Sequence, residues 1–128
     1  MTINRNMPIL VVDDLTTTRR AVKNLLNQLG FSNLDEASDG AEALQKLQTR
    51  SYDLVISDWN MEPMTGIELL ERVRSIEETK NVNFIMLTAE AKPENIVKAK
   101  QAGVNSYIVK PFIAKKLKEK LVGLWGPF

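Results

Sequence analysis

Five short and almost wholly apolar segments, separated by stretches with helical periodicity, limit what this chain can fold into more than any other feature. They cover residues 8–12, 34–37, 54–57, 84–87 and 107–109, and the second is the weakest. Runs that are apolar throughout, rather than alternating with polar residues, are typical of parallel strands covered on both faces. The pattern therefore predicts a parallel sheet with helices on each side.

Local signals mark where the helices between these segments begin and end. Gly30 stops the first helix, Thr65 and Glu68 form a capping box at the start of the third, and Pro93 and Gly103 bracket the fourth. We predict helices over residues 17–29, 41–47, 65–76, 93–102 and 112–124. Strands that alternate with helices indicate an α/β fold with a doubly wound parallel sheet, here one domain over residues 1–128.

Composition excludes several classes of function. The chain has no cysteine and no histidine, which excludes disulfides, thiolate catalysis and zinc sites built on cysteine. This chain therefore cannot itself carry a phosphohistidine. The net charge of +1 indicates no nucleic-acid binding, and no apolar run reaches the roughly 18 residues of a membrane span. With a polar N-terminus and no apolar signal core, we expect a cytoplasmic protein that does not bind membranes.

Charge is divided unevenly along the chain. Residues 1–88 have a net charge of −4, whereas residues 89–128 have a net charge of +5. Two readings remain open at this point: solvated helix faces, or a basic C-terminal surface for a protein partner.

Polar residues follow four of the five predicted strands where each strand ends. Asp13 and Asp14 follow the first strand, Asp58 the third, Thr88 the fourth and Lys110 the fifth. Ligands of open parallel sheets bind beyond the carboxyl ends of the strands. We therefore expect three carboxylates, a hydroxyl and an ammonium group to meet at one edge. Each residue also has a structural reading, such as helix capping by Asp14 or solvent exposure of Lys110, but their coincidence favours a site.

Three neighbouring carboxylates repel one another, so the site needs positive charge. Lys110 supplies one charge and a divalent cation would supply two. Oxygen ligands alone favour Mg²⁺, with Mn²⁺ as the alternative, over Zn²⁺. A carboxylate beside such an ion, a lysine and a threonine is suited to accept a phosphoryl group, because the cations would neutralise the phosphoryl oxygens.

The runs 11–14 (VVDD), 56–61 (ISDWNM), 88–92 (TAEAK) and 107–112 (YIVKPF) resemble the response-regulator receiver family, and look most like its single-domain CheY-like members. The resemblance covers about residues 8–124. It implies a flavodoxin-like (βα)5 fold with strand order 2-1-3-4-5 and helices on both faces, without an output domain.

The resemblance also implies a role for each matching residue. Asp58 would be the phosphoacceptor, Lys110 would bridge to the phosphoryl group, and Thr88 and Tyr107 would form the switch. Lys110 and Pro111 would be joined by a cis peptide bond. The Mg²⁺ ligands would be Asp13 (through water), Asp14, Asp58 and the backbone carbonyl of Asn60, while Asn60 and Glu90 would tune dephosphorylation.

One stretch departs from the family pattern. Many receivers have Met-Pro-x-Met-Asp-Gly after the acceptor loop, whereas residues 61–66 here are MEPMTG. The proline is displaced by one position, and Glu62 adds a carboxylate that either contacts a metal-bound water or faces solvent.

The implied output surface is formed by the fourth helix, the fifth strand and the fifth helix. It combines apolar residues with lysines, as a site for a short acidic and apolar peptide does. Its residues are Lys92, Ile96, Lys100, Tyr107, Val109 and Lys120. The resemblance implies a monomer that catalyses only its own phosphorylation and dephosphorylation. It implies a chemotaxis histidine kinase (CheA-like) as phosphodonor, the flagellar switch protein FliM as target, and a phosphatase.

Three other functions remain open from the sequence. A phosphorelay intermediate would pass the phosphoryl group from Asp58 to a histidine phosphotransfer protein. A flavodoxin-like cofactor binder would use Thr16, Thr17 and Thr18 as a phosphate loop, although the preceding aspartates would repel a phosphate. A Mg²⁺-dependent phosphatase would usually carry its nucleophile and acid as Asp-x-Asp after the first strand, a spacing that this chain lacks.

Overall fold

The computed structural model describes residues 3–89 and 92–128, in which five strands alternate with five helices. The strands are β1 (Ile9–Val12), β2 (Leu34–Ala37), β3 (Leu54–Asp58), β4 (Asn83–Thr88) and β5 (Ser106–Val109). The helices are α1 (Thr16–Gln28), α2 (Gly40–Thr49), α3 (Gly66–Ser75), α4 (Pro93–Ala102) and α5 (Ala114–Trp125). All strand pairs are parallel, in the order β2-β1-β3-β4-β5, which confirms the predicted fold class and strand order.

The sheet separates two apolar cores, because successive side chains of a strand point to opposite faces. In β1, Ile9 and Val11 face one core while Leu10 and Val12 face the other. Residues of α1 and α5 close the first core: Val22, Leu26, Leu117 and Leu121. Residues of α2 and α3 close the second core: Ala43, Leu47, Leu69 and Val73. Burial on both faces explains why the central strands are apolar throughout.

Helix boundaries follow the local signals at most ends, but not at all of them. The capping box of α3 is present, since Thr65 Oγ1 accepts from the Glu68 N–H and Glu68 Oε1 accepts from the Thr65 N–H. The predicted start of the fifth helix at residue 112 was wrong. The backbone is extended at Ile113 (φ −112°, ψ 169°), and Phe112 packs against the core from the preceding loop. Over residues 3–89 and 92–128, every helix is too short or too polar to cross a membrane.

Candidate metal and phosphoryl site at the carboxyl edge of the sheet

Three carboxylates meet where β1 and β3 end. The register pairs Val12 with Ser57, so the next residues, Asp13 and Asp58, lie side by side. Asp13, Asp14 and Asp58 each offer an oxygen, and these oxygens all lie within 4.8 Å of one another. Asp13 and Asp58 are buried and Asp14 is exposed, so the cluster is open to solvent on one side. The strand-end pattern thus brings these three residues together, as the sequence predicts.

The surroundings of Asp13 fit a divalent cation. Asp13 Oδ1 accepts from the Leu15 N–H at 2.9 Å, whereas Oδ2 is buried and has no hydrogen-bond partner within the described part of the chain. Burial raises the pKa of Asp13 to about 6; the Leu15 N–H opposes this rise and the charge of Asp58 adds to it. A buried oxygen without a partner, beside two further carboxylates, is costly unless a positive charge compensates it. The all-oxygen donor set therefore fits Mg²⁺ or Mn²⁺.

Lys110 reaches the same cluster from the end of β5. Its Nζ lies 2.7 Å from Asp58 Oδ1, and the side chain of Asp58 is only 8% exposed. The N–H of Lys110 donates to the carbonyl of Thr88 at 2.8 Å, which continues the β4–β5 pairing up to the site. The peptide bond between Lys110 and Pro111 is cis, as expected from the resemblance.

Backbone contacts fix the loop that follows Asp58. The N–H of Trp59 donates to the Leu87 carbonyl at 2.9 Å, and the Gly66 N–H donates to the Trp59 carbonyl at 2.8 Å. Gly66 allows this close approach, because a Cβ there would lie 2.3 Å from the Asp58 carbonyl oxygen. The loop held by these bonds contains most of residues 61–66, the stretch that departs from the family pattern. The peptide bond between Glu62 and Pro63 in this loop is also cis, which was not predicted from the sequence.

Asn60 and Glu62 lie on the open side of the cluster. Together with Asp14 they line a groove of about 350 Å³, which also contacts Met61 and Thr65. Glu62 is exposed, so the departure adds a carboxylate to the groove that contains two of the predicted metal ligands, Asp14 and Asn60.

A smaller cleft of about 140 Å³ contains Asn60 and Thr88, together with Trp59, Ala89 and Asn95. Sequence reasoning missed Asn95, which lies in the first turn of α4 and so returns to the edge where β4 ends. The available signal was its position in the first turn of the helix that follows Thr88. The predicted tuning residue Glu90 lies outside the described residues.

The predicted output surface is divided between a groove and a helix. Tyr107, Val109 and Lys120 line a groove of about 610 Å³, in which Lys120 Nζ lies 5.1 Å from the centroid of the Tyr107 ring. Ile113, which is 67% exposed, lines the same groove and was missed from the sequence. Lys92, Ile96 and Lys100 belong to α4 and its N-cap. The switch roles of Thr88 and Tyr107 remain predictions.

Residues 9–122 match the family of response regulator receiver domains. The chain belongs to this family. It is 57% identical over 119 residues to the chemotaxis protein CheY-3 of Vibrio cholerae, covering 93% of this receiver and 92% of the relative. It is 54% identical over 115 residues to the chemotaxis protein CheY of Pseudomonas aeruginosa, covering 90% of this receiver and 93% of that protein.

Solved structures resemble this receiver over almost their whole length. Chemotaxis protein CheY4 of Vibrio cholerae is 37% identical with a TM-score of 0.84, covering 91% of this receiver and 96% of that chain. The receiver domain of a sensor histidine kinase from Pseudomonas aeruginosa is 27% identical with a TM-score of 0.82, covering 94% and 97%. That domain contains a magnesium ion coordinated in its active-site cleft.

Proposed function

We propose that this receiver is a phosphorylation switch of chemotaxis, in which Asp58 accepts the phosphoryl group. The observation that carries the proposal is the contact of 2.7 Å between Lys110 Nζ and Asp58 Oδ1, in a cluster that also contains Asp13 and Asp14. A structural ion pair alone would not require two further carboxylates beside it. A phosphoacceptor site does, because those carboxylates would hold the cation.

Asp13, Asp14, Asp58 and the backbone carbonyl of Asn60 would hold Mg²⁺, or Mn²⁺ in its place. When bound, the ion neutralises negative charge on the phosphoryl oxygens during transfer. Lys110, whose Nζ contacts Asp58 Oδ1, contributes further positive charge. The Thr88 hydroxyl, which borders the cleft with Asn60, donates to a phosphoryl oxygen.

The transfer forms one bond and breaks another. A carboxylate oxygen of Asp58 attacks the phosphorus of a phosphohistidine on the kinase, and the P–N bond breaks with its electron pair remaining on the imidazole nitrogen. Dephosphorylation follows when water attacks the phosphorus and the bond to Asp58 breaks, which releases inorganic phosphate. Asn60 and Glu90 would tune this second step. The chain thus catalyses only its own phosphorylation and dephosphorylation.

The chemotaxis role is supported by the similarity to the two CheY proteins over almost their whole length. On this basis the phosphodonor is a CheA-like histidine kinase, the target is the flagellar switch protein FliM, and a phosphatase ends the signal. The protein would act as a monomer in the cytoplasm. Phosphorylation would favour the conformation of α4, β5 and α5 that binds the target, by population shift.

Labelling with a small phosphodonor tests this proposal. We expect acetyl phosphate to add one phosphoryl group in the presence of Mg²⁺, detected by mass spectrometry of the intact protein. Asp58→Asn should abolish the addition and Asp14→Ala should weaken it severely. Asp53→Asn is the matched control, because Asp53 directly precedes β3 and is exposed at the opposite edge of the sheet. Labelling that persists in Asp58→Asn would refute the assignment.

A further inference from the structure

Arg19 connects the first helix to the acidic cluster, although the mechanism above gives it no role. Its side chain is 13% exposed, and its guanidinium group has three partners in different directions. Nη1 donates to the backbone carbonyl of Asp13 at 2.7 Å, Nε donates to Glu36 Oε1 at 2.7 Å, and Nη2 donates to Thr16 Oγ1 at 3.2 Å. Arg19 therefore links Asp13 to α1 and to β2.

These contacts complete the restraint of Asp13. Its N–H donates to the Ala37 carbonyl at 3.2 Å, its Oδ1 accepts from Leu15, and its carbonyl accepts from Arg19. Within the described residues, Oδ2 is the one hydrogen-bonding atom of Asp13 left without a partner. Arg19 thus holds the backbone from which this oxygen projects.

The anchor of Arg19 is itself fixed. Glu36 lies on β2 in register with Val11 of β1, two residues before Asp13. Its second oxygen accepts from Lys23 Nζ at 2.6 Å, so Lys23 and Arg19 bind different oxygens of Glu36 and the contact of Arg19 does not require Lys23. Lys23 and Arg19 share this partner, but of the two only Arg19 also bonds Asp13 in the described structure.

We infer that Arg19 is a positioning residue for the metal site, which fixes Asp13 in the orientation that binds the cation. This inference rests on the proposed function, because it assumes that the acidic cluster binds Mg²⁺. A planar guanidinium group can donate to three acceptors at once, whereas a lysine at the same position would supply the charge without the planar array of N–H donors. Groups that orient metal ligands from outside the coordination shell typically change metal affinity about 10- to 100-fold when they are removed.

Mg²⁺ titration of the intact protein tests the inference. Trp59 directly follows Asp58, so its emission reports on the ion, and Trp125→Phe removes the second indole. In that background, we expect Arg19→Met to weaken Mg²⁺ binding by roughly tenfold or more. Arg19→Lys should weaken it to a similar extent, because charge alone does not restore the three bonds. The matched control is Lys23→Met, which removes the other cation from Glu36 and should leave Mg²⁺ affinity close to that of the parent.

A second readout works without any metal. In EDTA, hydrogen exchange of the Leu15 N–H reports on its bond to Asp13, and we expect faster exchange in Arg19→Met than in Lys23→Met. If Arg19→Met does not fold, Mg²⁺ affinity and exchange of the Leu15 N–H are compared between Arg19→Lys and Lys23→Met instead. Equal Mg²⁺ affinity in the parent and in the Arg19 variants would overturn the positioning role of Arg19 and leave the proposed function unaffected. A parent protein with no saturable Mg²⁺ response would overturn the proposed function as well.

Discussion

Burial of the Asp13 carboxylate lowers the stability of the folded protein at neutral pH when no cation is bound. Burial raises the pKa of Asp13 from its ordinary value of 3.8 to about 6. Because the pKa is higher in the folded state, the contribution of Asp13 to stability is fully present below pH 3.8 and is lost as the pH rises through 6. At pH 7 the charged form therefore opposes folding, by an upper estimate of about 3 kcal/mol.

We accordingly expect Asp13→Asn to stabilise the protein in EDTA at pH 7, by about 1–3 kcal/mol. The gain should shrink as the pH falls below 6, and Mg²⁺ should no longer stabilise the variant. Urea unfolding at pH 7 and at lower pH measures both effects. Asp14→Asn is the control, because the exposed side chain of Asp14 should have a smaller effect. A variant less stable than the parent at pH 7 would contradict this account.

Residues at strand ends were predictable because the parallel sheet fixes where they meet. Asp13, Asp58 and Lys110 follow apolar runs, so their shared edge follows from the fold class. Arg19 and Asn95 were not predictable in this way. Their positions depend on how α1 and α4 rotate and dock against the sheet, which periodicity alone does not specify.

At the scale of helices and strands, Arg74 joins α3 to the turn after α4. Its guanidinium donates to the carbonyls of Gly103, Lys80 and Val82 at 2.9, 2.9 and 2.7 Å, and to Asn105 Oδ1 at 2.8 Å. Lys80 and Val82 lie in the connection between α3 and β4, and Gly103 and Asn105 lie in the connection between α4 and β5. Arg74 is half-buried, and burial lowers the pKa of its side chain. The residue thus fixes the C-terminal end of α4, opposite to the end that borders the acidic site.

We expect Arg74→Met to lower the free energy of unfolding by about 2–4 kcal/mol, because two partly buried carbonyls, those of Gly103 and Val82, lose the guanidinium donor at once. Arg72→Met on the same helix is the matched control, since Arg72 is exposed, and its effect should stay within about 0.5 kcal/mol. Urea unfolding of both variants measures the difference. Similar losses in the two variants would show that the contacts of Arg74 contribute little.

The ends of helices differed in how well the sequence specified them. The start of α3 was predictable, because its capping box is a chemical signal that involves two specific side chains. The start of α5 was not, because Phe112 fits the helical spacing of apolar residues although its backbone lies outside the helix. A hydrophobic period reports which residues are buried, and a buried loop residue satisfies it equally well.

At the scale of the whole molecule, the fold gathers part of the basic half-chain into one groove. Lys115, Lys116 and Lys120 line it together with Tyr107, whereas Glu119 is its one acidic lining residue within the described structure. The sequence left open whether the charge of +5 over residues 89–128 marks solvated faces or a partner surface. The groove favours the second reading for these three lysines. Only the packing of α5 on β5 determines which lysines lie together, so the sequence alone could not decide.

The proposed switch predicts that phosphorylation at Asp58 strengthens binding of an acidic and apolar target peptide in this groove. Coupling between two sites typically amounts to about 1–3 kcal/mol, so we expect roughly 5- to 150-fold tighter binding with acetyl phosphate and Mg²⁺ than without them. Fluorescence anisotropy of a labelled peptide measures both affinities.

Lys115→Glu should weaken binding in both states, because it places a negative charge in the groove. Lys118→Glu is the control on the same helix, since Lys118 lies 5.2 Å from the ring of Phe128, which is not part of the groove lining in the described structure. An affinity that does not respond to phosphorylation, or that falls equally in both lysine variants, would exclude this groove as the regulated surface.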